Sequence, residues 1–373
     1  MISLFKEIPS IKENQLHEKF KLLSRNFQLI EEKRIVEEWG ENFFDKDNKI
    51  SKEFQTSFHS TFWELYLHQV FKEATFNIDY SQQIPDFIIS APTKFYVEAV
   101  VANIKKGGLS ENERTVKDTY RGGIPLHLQP DSQKIVEEAI VRYSNSILNK
   151  HKKLTLEYQH KSWVEKEIPF TIALSSYDQI NYGVEYIYPL MALLYGCYYE
   201  TTTQSFVSKQ DILKPNTTSK INLGLFKQKE FENISAIIFT CTLTFGKLTA
   251  LVRSQGKYSL TLNEVVTIRH DITANSSPYK IDFVSPNEPE TLSDGLIIFH
   301  NPKAKNPLPI EVFSKTNALQ IYGDDFDKFK YQARTLPILS RINANPLTLN
   351  INQIKENYNT HYNSNTLFQT NGD

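Results

Sequence analysis

The sequence predicts an α/β fold, a central β-sheet covered by helices, and three observations predict it. Segments of helical period and apolar strand-like runs alternate from Phe58 to Leu243. Two of the runs, Phe170-Thr171-Ile172-Ala173-Leu174 and Ala236-Ile237-Ile238-Phe239, are apolar without a polar face, as strands are when helices bury both sides of a sheet. The chain, at 373 residues, is also long enough for one main domain with additions or for two domains.

Taken in order, Gln15 to Phe44 are expected to form two helices packed through Leu22, Phe27, Ile30, Ile35 and Trp39, so that residues 1–53 make an N-terminal helical extension. From Phe58 to Phe71, the residues Phe58, Phe62, Leu65, Val70 and Phe71 recur at helical spacing, with Trp63 and Tyr66 beside them. After a break at Asn77, the runs Pro85 to Ile89 and Phe95 to Val101 flank the turn-like Ser90-Ala91-Pro92-Thr93-Lys94 and read as a β-hairpin. Asn103 to Gln129 carries turn signals and little periodicity, and a loop of that length between core elements is often functional. Neither Gly107-Gly108 nor Gly122-Gly123 precedes the Lys-Ser/Thr of a phosphate-binding P-loop.

Ser132 to Lys153 reads as a helix whose apolar stripe is Val136, Ala139, Ile140, Tyr143 and Ile147. Beyond it come a strand at Pro169 to Ser175, a helix at Gly183 to Tyr199, a polar surface excursion at 201–222 and a strand at Ile234 to Leu243. The pattern turns β-like again through Leu251, Leu262, Ile281 and Leu296 to Phe299. His300-Asn301-Pro302 is a turn whose histidine is a structural polar residue, and from Asn343 the Asn- and Thr-rich chain is expected to fray. These readings divide the chain into the extension, an α/β core at 54–245, a β-rich part at 246–342 that joins the core or forms a small second domain, and a tail at 343–373.

A net charge of −1 excludes a protein coated in basic residues, so nucleic-acid contact requires a local patch. Cys197 and Cys241 are too few for a disulfide framework and lack the spacing of a structural zinc site, which fits a reducing cytoplasm. No secretory signal follows Met1, and the longest apolar run, Tyr186 to Tyr199, is interrupted by Pro189 and Gly196 and falls short of the roughly 20 residues that span a bilayer. No membrane association is expected.

Chemistry concentrates in the hairpin. Alternation puts Tyr96, Glu98 and Val100 on one face of the second strand and Val97, Ala99 and Val101 on the other, so Glu98 is a carboxylate in a strand otherwise buried. Such a group needs a cation, a hydrogen-bond network or a metal, because leaving it unpaired costs several kcal/mol. With Glu64 on the preceding helix and Pro85-Asp86 opening the first strand, the order of residues resembles the PD-(D/E)XK nuclease superfamily, whose pattern is a helix bearing Glu, Pro-Asp opening a strand, and (Asp/Glu)-x-Lys on the next. The matching residues here are Glu64, Pro85-Asp86 and Glu98-Ala99-Val100, within Phe54 to Ala102, and by element order the likeness extends to about Thr242. Val100 departs from the pattern, standing where that family has its lysine.

The resemblance implies a restriction-endonuclease-like core with a mixed sheet, and an Mg²⁺-dependent endonuclease, Mn²⁺ serving as well, that hydrolyses phosphodiester bonds in DNA, in restriction or defence against foreign DNA. Asp86, Glu98 and Glu64 would be the metal ligands, hard oxygen donors that suit such an ion. The missing lysine has a candidate replacement in Lys150, which continues the apolar stripe of the Ser132 helix by one turn, although a basic helix C-terminus explains it equally well and is the reading for Lys152 and Lys153. Arg142, on a neighbouring stripe, would join Lys150 in stabilising the transition state. Lys105, Lys106, Arg114, Arg121 and Arg142 are the candidate nucleic-acid contacts, with Lys117, Tyr120 and His127 of the same loop, and a solvated insertion covering a sheet edge is the alternative. Many enzymes of this family are homodimers. Two other readings stand beside the nuclease: a catalytically silent relative that binds nucleic acid or serves as a scaffold, favoured by Val100, and an unrelated α/β protein in which Glu64 is solvated, Asp86 caps a strand and Glu98 is an ion-pair partner.

Overall fold

The computed structural model describes residues 2–41, 43–104, 108, 113, 115–176, 181–257, 260, 262–274, 278–323 and 328–360. The N-terminal extension contains α1 (Glu18–Arg25), α2 (Ile30–Glu41) and α3 (Ile50–Thr56). Ile35 and Trp39 are buried as expected, whereas Leu22, Phe27 and Ile30 are exposed. The core face of α1 runs through Phe20 and Leu23 instead, which rotates Leu22 outward, and Phe27 falls in the turn between the helices.

Then come α4 (Phe58–Glu73), β1 (Asn77–Asp79), β2 (Phe87–Ala91), β3 (Phe95–Ala102), α5 (Val116–Thr119), α6 (Ser132–Leu156) and β4 (Phe170–Ser176). The expected helix at Gly183 to Tyr199 is only α7 (Tyr188–Tyr195): Pro189 opens it, and Gly196, at φ 74°, ends it in the left-handed conformation that glycine adopts without strain. The chain reverses there into β5 (Cys197–Glu200) and β6 (Ser205–Ser208), followed by a second small hairpin of β7 (Asp211–Leu213) and β8 (Lys220–Asn222), and by β9 (Ala236–Thr240).

The β-like reading after Leu243 is corrected at α8 (Phe245–Ser254), where the Thr244 hydroxyl accepts from the Gly246 amide at 3.1 Å and Leu248, Leu251 and Val252 repeat at helical spacing. Next are β10 (Glu264–His270), β11 (Tyr279–Phe283), β12 (Ile297–His300), β13 (Leu319–Tyr322), β14 (Lys330–Gln332), β15 (Ile338–Ala344) and α9 (Ile351–Thr360). His300 closes β12 and pairs its Nε2 with Gln320 Oε1 at 3.0 Å, a structural role. The expected frayed tail is also corrected as far as Thr360: α9 buries Ile354 and Tyr358, and the Tyr358 hydroxyl donates to Gly122 O at 2.8 Å.

Eight strands form one mixed sheet in the order β1-β2-β3-β4-β9-β12-β13-β14. β3, β4 and β9 are parallel, as are β12 and β13, and the remaining neighbours are antiparallel. The 246–342 region divides, since β12 to β14 complete this sheet while β10, β11 and β15 make a separate three-stranded one. The alternation of each central strand feeds two cores: Tyr96, Ile172 and Ile237 face α6 and α7, and Val97, Ala173 and Ile238 face α4 and α8. No helix among the described residues is long and apolar enough to cross a membrane.

Candidate active site

The register of the first strands leaves a gap where the acidic residues sit. β3 pairs with β4 over Tyr96 to Ala102 but with β2 only over Phe95 to Val97, so from Glu98 onward the β2-side edge of β3 is open. Asp86 precedes the first residue of β2 and therefore falls opposite Glu98, where its Oδ2 accepts the Ala99 amide at 2.7 Å. A carboxylate thus takes the place of a missing ladder bond.

Glu98 is 1% exposed. Its Oε1 accepts from Lys150 Nζ at 2.7 Å and from Lys153 Nζ at 3.0 Å, and its Oε2 accepts from the Tyr158 hydroxyl at 2.8 Å. Burial works to raise the pKa of this carboxyl, but the charges and hydrogen bonds of Lys150 and Lys153 outweigh it and hold the group below the ordinary glutamate value. Tyr158 is pushed upward, first by burial and then by the Glu98 charge.

Asp86 and Glu64 are held in the opposite sense. Burial, and then the Glu98 charge, push Asp86 up to about 6. Glu64 reaches in from α4, on the other face of the sheet, and is pushed up to about 8 by burial and then by the Asp86 charge. It takes no hydrogen bond or ion pair among the described residues. Lys46 closes the site from the extension, donating to Asp86 O at 3.1 Å and Pro85 O at 3.4 Å. Its burial lowers its pKa against the opposing pull of Asp86, Glu64, Asp79 and Glu98.

Asp86, Glu98 and Lys150 are therefore brought together, and Glu64 lies within electrostatic reach of them. Lys153, read from the sequence as a complement to the helix dipole, belongs with them, one turn beyond Lys150. Arg142 does not: it is 8% exposed, donates to Ala102 O at 3.0 Å and faces Glu185 at 3.4 Å, two helical turns before Lys150. Its expected part in stabilising a transition state beside Lys150 is corrected by that commitment. Arg121 bonds Asn181 and Asp131, Lys117 is exposed, and Tyr120 bonds Thr348 through its hydroxyl. Lys105, Lys106 and Arg114 lie outside the described residues. Val100 packs against the α6 side of the core. Sequence reasoning missed Lys46 and Tyr158. Lys46 sits in the polar stretch Asp45-Lys46-Asp47-Asn48, about 40 positions from Asp86, and no local pattern connects the two.

Among the described residues no group of three or more His, Cys, Asp or Glu side chains is set to enclose a metal ion. The donor chemistry at the open edge nonetheless suits a hard divalent cation at Glu64 and Asp86, two desolvated carboxylates that repel each other, while both oxygens of Glu98 are taken by Lys150, Lys153 and Tyr158. Comparison with protein-family models, with curated proteins and with solved structures returns no match.

Proposed function

We propose that this chain is a metal-dependent phosphodiesterase acting on nucleic acid, with DNA the substrate and a restriction-endonuclease-like core the scaffold. The observation that carries the reading is the meeting of Asp86, Glu98 and Lys150 at the unpaired edge of β3, from three separate elements, with Glu64 within electrostatic reach from α4. Glu64 and Asp86 would hold Mg²⁺ or Mn²⁺, with Glu98 available once its lysines turn to a phosphate. Such an ion, when bound, lowers the pKa of water and neutralises charge on a phosphate.

The chain's own groups do the rest. Lys150, 21% exposed, stands between a buried carboxylate and solvent, so its ammonium can pass from Glu98 to a phosphate oxygen with little movement. Lys153 is more exposed and would contact the flanking backbone. Tyr158 keeps its proton and fixes the orientation of Glu98. A homodimer that cuts both strands, a cytoplasmic setting and a role in defence against foreign DNA follow from the resemblance alone.

The silent relative is the second reading, and the saturation of Glu98 by two lysines and a tyrosine favours it. Cleavage of supercoiled plasmid and of single- and double-stranded oligonucleotides with Mg²⁺ or Mn²⁺ separates the two. The nuclease reading expects nicking by the wild type that chelator stops and that Asp86→Ala and Glu98→Ala abolish. No metal-dependent cleavage of any of these substrates, with nucleic-acid binding retained, would leave the silent relative standing.

A further inference from the structure

Two recesses lie apart from Glu98, beyond the carboxyl ends of β3 and β4. One, of about 340 Å³, is lined by Arg121, Lys134, Arg142 and Lys214 against Asp131 and Glu138. Asp131 is already paired with Arg121, and Arg142 with Glu185, while the exposed Lys134 and Lys214 carry no ion pair among the described residues. The recess therefore presents a surplus of positive charge.

The other, of about 70 Å³, is walled by the rings of Tyr186, Tyr188, Tyr199, Phe206, Tyr279 and Tyr358. Tyr188 stacks on Tyr199 at a centroid distance of 4.0 Å, and His270 on Tyr279 at 5.1 Å. The recesses share a wall: Arg121 and Asn181, bonded to each other, line the first, and Gly122 and Gly183 beside them in the chain line the second.

Two buried polar atoms in the aromatic wall take no hydrogen bond, the hydroxyl of Tyr186 and Nδ1 of His270. Tyr186 is 1% exposed, and an unsatisfied buried group costs about 1–3 kcal/mol. The same residue sits at φ 45°, in the left-handed region, where a bulky side chain adds a cost of about 1–3 kcal/mol. Two separate penalties thus fall on one residue that lines one recess, and a ligand's hydrogen bond to the hydroxyl would offset the first.

We propose that the two recesses form one binding site for a nucleoside phosphate, the base entering the aromatic recess by one edge toward the Tyr186 hydroxyl and His270 Nδ1, the phosphate lying among Arg121, Lys134 and Lys214. The aromatic rings wall the recess that takes the base edge, and the two polar atoms supply edge recognition. At about 70 Å³ the aromatic recess is under half the roughly 150 Å³ that encloses a benzene, so it takes the edge of a base and not a whole ring. The nucleotide is either free or an unstacked unit of a strand. The site does not depend on the hydrolytic reading.

The test is calorimetric titration of the full chain, without divalent ion, with uridine 5′-monophosphate, uridine, adenosine 5′-monophosphate and inorganic phosphate. A parallel arm compares a duplex bearing one unpaired thymidine with the same duplex fully paired. Expected is tighter binding of the two nucleoside monophosphates than of uridine and inorganic phosphate, or of the bulged duplex than of the paired one; whichever arm shows it identifies the source. Tyr186→Phe should weaken that binding about fivefold, the worth of one hydrogen bond, while its thermal midpoint stays level or rises. Lys134→Gln should weaken uridine 5′-monophosphate and leave uridine unchanged. The proposal is overturned by no binding at millimolar nucleotide together with equal affinity for the two duplexes, by inorganic phosphate binding as tightly as the nucleotides, or by unchanged affinity in a folded Tyr186→Phe, which would assign the hydroxyl to a water. Because the titration involves no cleavage and no metal, its failure is distinct from failure of the nuclease reading.

Discussion

Two buried glutamates, Glu98 and Glu290, each accept from two cationic side chains, and they are built to opposite ends. Around Glu290 everything is completed: Lys247 donates to Glu290 Oε1 at 2.7 Å, to Thr291 O at 2.6 Å and to Asp294 O at 2.9 Å, and Arg341 donates from Nε at 2.9 Å and again from Nη2. Lys247, 1% exposed, and Arg341, 3% exposed, are as buried as Glu290 itself, so the cluster welds α8 to β15 and to the segment before β12. Around Glu98 the lysines are partly exposed, Glu64 takes no bond among the described residues, and Glu64 and Asp86 are both pushed toward the neutral form. A buried ion pair is by itself a structural device, and what distinguishes the β3 edge is that its charges are left incomplete where the ladder is open.

The comparison breaks first on stability. Lys247→Ala leaves Glu290 buried with one partner fewer and should cost about 3–5 kcal/mol in denaturant unfolding. Glu98→Gln should cost about 1 kcal/mol or less, since both lysines can turn to solvent and Tyr158 keeps an acceptor. Equal losses would show that both clusters are structural.

On activity the expected order is reversed. Lys150→Met should lower kcat for DNA cleavage about a hundredfold, the range for removing one group that stabilises developing charge, while the more exposed Lys153→Met loses about tenfold or less. Equal effects would make the pair a general basic patch rather than one placed cation and one auxiliary.

The smallest effect sharpens the idea of incompleteness. Glu64 is raised in the fold above its ordinary value of 4.5, so its contribution to stability is fully present below that pH and is lost as pH rises through about 8. In metal-free buffer Glu64→Gln should therefore stabilise the protein at pH 8 and far less at pH 5. Denaturation midpoints of the two proteins at both pH values decide it, and a destabilised variant at pH 8 would mean that the carboxylate has a favourable partner.

How far the sequence reached follows from which forces are local. α4, the hairpin, α6 and β4 were legible within a residue or three, because each carries a long, regular apolar period. α7 was overextended across Gly196, and α8 was read as strand, because short apolar runs look alike in either state until their caps are considered. At the site, Asp86, Glu98 and Lys150 were legible as charges at positions that alternation or periodicity marks as buried. Lys46, Tyr158 and the part played by Lys153 were not, since only the tertiary fold carries the extension and the end of α6 to β3. The Glu290 cluster had no signal at all, its members coming from segments more than 40 positions apart.

Titration of the metal-free protein with Mn²⁺, followed by electron paramagnetic resonance, tests most directly whether the β3 edge is completed by a divalent cation. One ion should bind per chain in the wild type, be lost in Asp86→Asn and be retained in Glu311→Gln, an exposed carboxylate in the turn between β12 and β13. Absence of Mn²⁺ binding, or binding that Asp86→Asn leaves unchanged, would contradict it.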